Sequence, residues 1–396
     1  MSKSLAEAMA ATIDPEAIAA DTLAFVEVVS ETGKEGEGSL FLEQLLRREG
    51  FEVERDDFLR SKRPNVYARI KGHDGGGSPC LVFNGHTDTI PIGDCQSPSR
   101  EDDWIRGRGT EDMKGGLVAM VHAASALRRC HVDLCGDLWL TGVIGHETPV
   151  GKKEGPRRLI DLMRAGKIPA EGVIIVEGPC AVWAASLGSA LFNLRVYADR
   201  EPIHTIKVPF LDNPVRCIGG ILQGLERLEK KFLQGETHPL CGRHQLNVGM
   251  VRAGDWFNRL PVEMEVTGTR RWTPGTTRAD VERELQGLCV ELADHFGLRF
   301  EVELSNDREP FETPEDHPLV RGLVAAAKAD GADPEIIGMG LVGDANLYAN
   351  DGGVPTVYYG PAHETAHSNL EQVSASQLAH CSRVYALAAA EFCGRH

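Results

Sequence analysis

An α/β fold is predicted for this chain, with a mostly parallel central sheet flanked by helices and an inserted α+β domain of the ferredoxin-like kind. Three observations predict it. Between residues 51 and 177, strand and helix patterns alternate, and polar residues gather at the C-terminal ends of apolar runs, as in open α/β sheets that build sites there. Residues 187–304 instead read strand, helix, strand, strand, helix, strand, the order of a small α+β domain. After 305 the alternation returns. The expected division is therefore 1–186 with 305–396 as one discontinuous domain, and 187–304 as the insert.

From the N-terminus, residues 15–29 and 38–49 place apolar side chains at helical spacing, the second run ending at Gly50. Phe51–Val53 and Asn65–Ile70 read as strands. Gly75-Gly76-Gly77 reads as a turn, because no Lys-Ser/Thr follows to make a phosphate loop. Leu81-Val82-Phe83 is a buried strand, followed by helix 117–127, strand 137–144, helix 155–165 and strand 172–176. In the insert, strands are expected at 191–197, 245–251, 261–267 and 298–304, with helices at 214–233 and 277–296. Helix 317–329, strand 353–359 and helix 373–392 close the chain.

Composition narrows the function. The 396 residues suffice for two or three domains, and 42% apolar content supplies a sizeable core. Lys and Arg total 42 against 58 for Asp and Glu, a net charge of −16 that argues against nucleic acid or an anionic membrane as partner. Ten cysteines are scattered without a CxxC pair, so reduced thiols of a cytoplasmic protein are the simplest account. The first residues are amphipathic and partly acidic, with no apolar signal region, and no run approaches the ~18 apolar residues of a membrane span. The expectation is a soluble cytoplasmic protein.

The chemistry centres on residues 81–116. His86 and Asp88 stand two apart at a strand end, a spacing that puts both side chains on one face of a strand. Asp88 is then placed to hold the His86 ring from behind, and Asp112 arrives from a second segment just before Gly115-Gly116 opens a helix. Alone, each is most often a solvated side chain or a plain turn. The combination is more specific.

GHTDTIP, GRGTEDMKGG, VIIVEGP and GPAHETAHSNLE together resemble the M20 family of metallopeptidases and deacylases, over nearly the whole chain. The resemblance implies a site for two divalent ions, zinc first and cobalt or manganese as alternatives. One ion would take His86, Asp112 and Glu177, the other Asp112, Glu147 and His367, with Asp112 bridging. It also implies an amidase or deacylase acting on an N-acyl amino acid or related small carboxylate. One position departs from the family. Where two adjacent Glu are usual, this chain has His146-Glu147. The preferred reading makes His146 the general base and Glu147 the ligand. A shifted reading makes Glu147 the base and leaves one ion short of a ligand. The altered base keeps two further readings open, an aminohydrolase that releases an amine and a binding relative without turnover.

By the same resemblance His204 reaches a partner subunit's site in a homodimer and steadies the oxyanion, although Pro202-Ile203 replace the usual Gly-Ala before it. Asn258 and Arg271 match positions that bind the substrate carboxylate. Asp344 is expected to shape the pocket without taking part in catalysis. A competing motif, His363-Glu364-Thr365-Ala366-His367, fits the HExxH zinc signature. That signature needs a helix, whereas Pro361 before it and Ser368-Asn369 after it suit a loop.

Overall fold

The computed structural model describes residues 3–75 and 77–395; Gly76, in the middle of the expected triple-glycine turn, lies outside the described residues, as do Met1, Ser2 and His396. The chain divides into two compact units. One comprises Met1–Ala184, Glu312–Ile337 and Gly343–His396, the other Ala185–Phe311 and Gly338–Val342.

The first unit is built on a mixed sheet whose four central strands run parallel, in the order Leu138–Val143, Leu81–His86, Gly172–Ile175 and Thr356–Tyr358. Antiparallel strands Asn65–Ile70 and Val53–Asp56 extend one side, and Val182–Ser186 the other. The four parallel strands are buried at every position, which is why they read as continuous apolar runs without alternation. Helices Gly115–Arg129 and Ala375–Phe392 pack on one another with nearly all of their small and aliphatic residues buried. Ser374 caps the second, its side chain accepting from the Gln377 N–H, and Asp14 with Pro15 starts the helix Pro15–Glu27 in the same way.

The second unit is a four-stranded antiparallel sheet in the order Gln245–Ala253, Glu263–Trp272, Gly188–Tyr197, Arg299–Arg308. Its strands alternate buried and half-exposed residues along Gly188–Tyr197. Phe192, Leu194 and Val196 form one core with Ile221 and Leu225 of helix Ile218–Gln234 and with Leu285, Leu288 and Leu292 of helix Arg278–Phe296. The helix expected from 214 begins instead as a 3₁₀ turn, Pro214–Cys217, because Asn213 and Pro214 start a tighter turn before the α-helix.

Two further departures bear on the site. The strand holding His86 ends at that residue, so Asp88 belongs to the loop beyond it and the one-face argument for the pair does not hold. Strands Ser99–Glu101, Trp104–Arg106 and Gln372–Ser374, three residues each, make a small separate sheet too short to leave a periodic signal. Among the described residues no helix is long and apolar enough to cross a membrane.

Candidate metal centre

The C-terminal ends of the four parallel strands deliver the chemistry to one place. His86 ends its strand, His146-Glu147 follow Leu138–Val143, Glu177 follows Gly172–Ile175, and the loop after Thr356–Tyr358 carries His367. Asp112 comes from the irregular turn Thr110–Lys114 that precedes the buried helix. Two glycines allow the close packing this needs. A side chain on Gly116 would meet the Val176 carbonyl at 1.7 Å, and one on Gly360 would meet the Glu177 backbone at 2.3 Å.

The ligand atoms of His86, Asp112 and Glu177 lie within 4.8 Å of one another, and so do those of Asp112, Glu147 and His367. Asp112 is common to both groups. His86 Nε2 is 2.8 Å from Asp112 Oδ1, yet both atoms are buried and neither has a hydrogen-bond partner among the described residues. That is the arrangement of two donor atoms aimed at a shared third point. His367 Nε2 stands 3.0 Å from Asp112 Oδ2 and 3.1 Å from Glu147 Oε1.

The charges suit a bound cation. Burial first, and then the neighbouring Asp112 charge, pushes the Glu177 carboxyl up. Burial would lower His86, but Asp112, Asp88 and Glu147 outweigh it and hold the ring well above its ordinary value. Hydrogen bonds to Asp112 and Glu147 raise His367 to about 10. Glu177 and the two imidazoles thus all hold a proton more readily than usual, at a point where the clustered acids favour positive charge. A donor set of one imidazole and two carboxylates on each side, sharing one carboxylate, fits two divalent ions.

Asp88 does not act as expected. The His86 Nδ1 lies 2.9 Å from the Asp88 main-chain carbonyl and 3.7 Å from its carboxylate. The carbonyl thus takes Nδ1–H and leaves Nε2 as the ligand atom. The fully buried carboxylate instead accepts the main-chain N–H groups of His146 (3.1 Å) and Glu147 (2.9 Å), and the Thr32 hydroxyl (3.0 Å). It positions the loop bearing the two residues in question, rather than the histidine.

His146 stacks flat on His86, ring centroids 3.9 Å apart. Its Nδ1 is 2.8 Å from Asp344 Oδ2 and 3.0 Å from Lys153 Nζ. Asp344, expected only to shape the pocket, thus meets the expected base directly, and Lys153 carries no local mark in the sequence. A third group went unnoticed. Glu371 Oε1 accepts N–H groups from Gly109 (3.0 Å), Glu111 (3.1 Å) and Asp112 (3.2 Å), while Oε2 pairs with Arg108 Nη1 at 2.6 Å. It holds the turn that presents Asp112. Burial and the nearby Asp112 raise its carboxyl to about 7. The spacing of an acid four residues after His367 was the one available hint.

The HExxH reading fails on local structure. Residues 363–367 form turns, not a helix, so the two imidazoles share no helix face. His367 joins the metal-type cluster, His363 tilts against Trp183 with centroids 6.4 Å apart, and Glu364 is exposed. The remaining expected residues lie in the second unit. His204 is exposed, with Nε2 3.1 Å from Asn258 Nδ2, and Arg271 donates to the Gly340 carbonyl.

Comparison with known proteins adds four findings. Residues 82–391 match the model of "Peptidase family M20/M25/M40". The chain is 27% identical to a succinyl-diaminopimelate desuccinylase of Cereibacter sphaeroides, covering 94% of this chain and 97% of that one. It is 24% identical to the N-formyl-4-amino-5-aminomethyl-2-methylpyrimidine deformylase of Bacillus subtilis, over 85% and 84% respectively. In fold it is similar to aminopeptidase PepT from Bacillus cereus, with a TM-score of 0.77 at 19% identity, covering 97% of this chain and 100% of that one.

Proposed function

This chain belongs to peptidase family M20/M25/M40, a metal-dependent hydrolase of C–N bonds, and from that premise we propose that it frees the amine of an N-acyl amino acid or a related small carboxylate. The observation that supports this reading is the pair of three-residue clusters sharing Asp112, with His146 stacked beside them. Two divalent ions there, zinc as first choice and cobalt or manganese as alternatives, would polarise the amide carbonyl and acidify a water. His86, Asp112 and Glu177 would hold one ion, and Asp112, Glu147 and His367 the other. His146 takes the proton of the attacking water and hands it to the leaving nitrogen, while Asp88 fixes the main chain of His146 and Glu147.

Arg271 and Asn258 take the substrate carboxylate, which a planar guanidinium fork suits. His204 of one subunit donates to the oxyanion formed in its partner's site, a contribution of about 3 kcal/mol. The working form in this reading is a cytoplasmic homodimer.

The test is metal content per chain, with hydrolysis of N-formyl, N-acetyl and N-succinyl amino acids by wild type, His146→Ala and His146→Glu. We expect about two ions per chain throughout. Turnover should fall about 100-fold or more in His146→Ala and survive in His146→Glu. A single ion in the wild type, or ammonia as product, moves the base to Glu147 and favours an aminohydrolase.

A further inference from the structure

Asp344 opens the short helix Asp344–Asn350 and is buried. Its carboxylate meets two side chains at once, Oδ2 at 2.8 Å from His146 Nδ1 and Oδ1 at 3.0 Å from Lys153 Nζ. Lys153 Nζ is itself 3.0 Å from His146 Nδ1, which closes a triangle of acid, ammonium and imidazole. Lys153 is brought back to this point by its own backbone. It adopts a left-handed conformation, φ 60°, and its N–H donates to the Gly145 carbonyl at 2.9 Å. Only 7% of the residue is exposed, so its ammonium relies on these neighbours in place of water.

An imidazole nitrogen between a carboxylate and an ammonium is offered two opposite arrangements. With a proton on Nδ1, the ring donates to Asp344 and presents a bare Nε2. With Nδ1 bare, it accepts from Lys153 and presents an Nε2–H that can only donate. The first arrangement uses both oxygens of Asp344, the ring donating to Oδ2 across the shortest contact and Lys153 Nζ paired with Oδ1, and gives up only the Lys153–Nδ1 hydrogen bond. Stacking on His86, with planes 8° apart, fixes the ring's remaining freedom.

We propose that Asp344 and Lys153 are positioning residues for His146. Asp344 accepts Nδ1–H and so leaves Nε2 as the nitrogen that receives the proton. Lys153 balances the Asp344 charge and keeps that carboxylate from turning into the adjoining cluster as an extra ligand. The inference rests on the reading of His146 as general base, and its test separates the two.

The first readout does not depend on turnover. In zinc-loaded protein labelled with ¹⁵N-histidine, a long-range ¹H–¹⁵N spectrum reports the tautomer of each ring, and His146 is identified by its loss in His146→Gln. We expect a neutral ring protonated at Nδ1 in the wild type, and a shift toward the other tautomer in Asp344→Ala, or in the isosteric Asp344→Asn if Ala does not fold. A wild-type ring protonated at Nε2 overturns the proposal.

The second readout is kinetic. Asp344→Ala should lower kcat about tenfold or more with metal content retained. KM should stay within about twofold. Lys153→Met should also lower kcat, and Lys153→Arg should recover part of it. In a His146→Ala background, Asp344→Ala should cost nothing further. An equal loss in that background, or no loss in the wild type, overturns the positioning role alone. If His146→Ala leaves kcat intact, the base assignment falls first.

Discussion

Replacing Glu371 by Gln leaves the shape of the side chain and removes its charge. In the wild type one carboxylate oxygen accepts three main-chain N–H groups, from Gly109, Glu111 and Asp112, and the other pairs with Arg108 at 2.6 Å. The amide oxygen of Gln can still serve the three N–H groups. Its NH₂, however, faces the Arg108 guanidinium donor to donor. Arg108 is 6% exposed and its Nε already lacks a partner among the described residues, so water does not relieve the loss. Breaking a buried ion pair from one side costs about 3–5 kcal/mol, a large part of the ~5–15 kcal/mol that holds a domain folded. Glu371→Gln should therefore lower the unfolding free energy of the metal-free protein in urea by that amount, seen as an earlier midpoint with the slope unchanged. Because the clamp holds the turn carrying Asp112, metal affinity should weaken about 10- to 100-fold. Adding Arg108→Met removes the stranded charge and should recover most of the stability. A Glu371→Gln protein within about 1 kcal/mol of wild type, or a double variant no more stable than the single, would refute this account of the turn.

Three other outcomes follow from the geometry. Asp88→Ala strands the half-buried N–H of His146 and the buried N–H of Glu147, so it should cost on the order of 2–4 kcal/mol in denaturant and weaken binding of the Glu147–His367 ion. Selective loss of the His86–Glu177 ion would contradict it. His363→Ala should leave metal content unchanged and His367→Ala should lose one ion, as counted by elemental analysis; the reverse pattern would revive the HExxH reading. At Asp21, burial favours the neutral acid, but hydrogen bonds from His122 and Arg48 outweigh it and hold the carboxyl below its usual value. Its stabilising effect is thus complete at neutral pH and is lost as pH falls through the carboxylate range toward the folded-state value. Asp21→Asn should flatten the acid side of a stability–pH curve, and an unchanged curve would show that the Asp21–Arg48–His122 cluster carries no linkage.

What the residues disclosed in advance follows the reach of local pattern. The buried strands ending near His86, Ile144 and Glu177 were legible because an apolar run stops where a polar ligand begins, and a single segment carries both signals. Asp112 was legible because the turn and helix that present it are adjacent in the chain. The groups that hold these residues were not. Glu371 meets Asp112 across 259 positions and Asp344 meets His146 across 198, and a lone acid bears no mark of its distant partner. Asp88 shows the limit from the other side. Its closeness to His86 was readable from the sequence, but the one-face argument failed and its task depended on where the strand stopped, two residues earlier. The three-residue strands of the small sheet were invisible for a simpler reason, since a period of two needs more than three positions to declare itself.

The position of strand Thr356–Tyr358 bears on how the molecule comes into being. It is inserted between Gly172–Ile175 and Val182–Ser186, in the interior of the sheet, although it is translated after every other strand of that sheet. A chain emerging from the ribosome therefore holds an open slot in its main sheet, with apolar strand edges unpaired, until this strand arrives. His367 follows Tyr358 by nine residues, so the cluster of Asp112, Glu147 and His367 gains its last member at nearly the same moment. Closure of the sheet and assembly of that cluster wait for the same late stretch of chain.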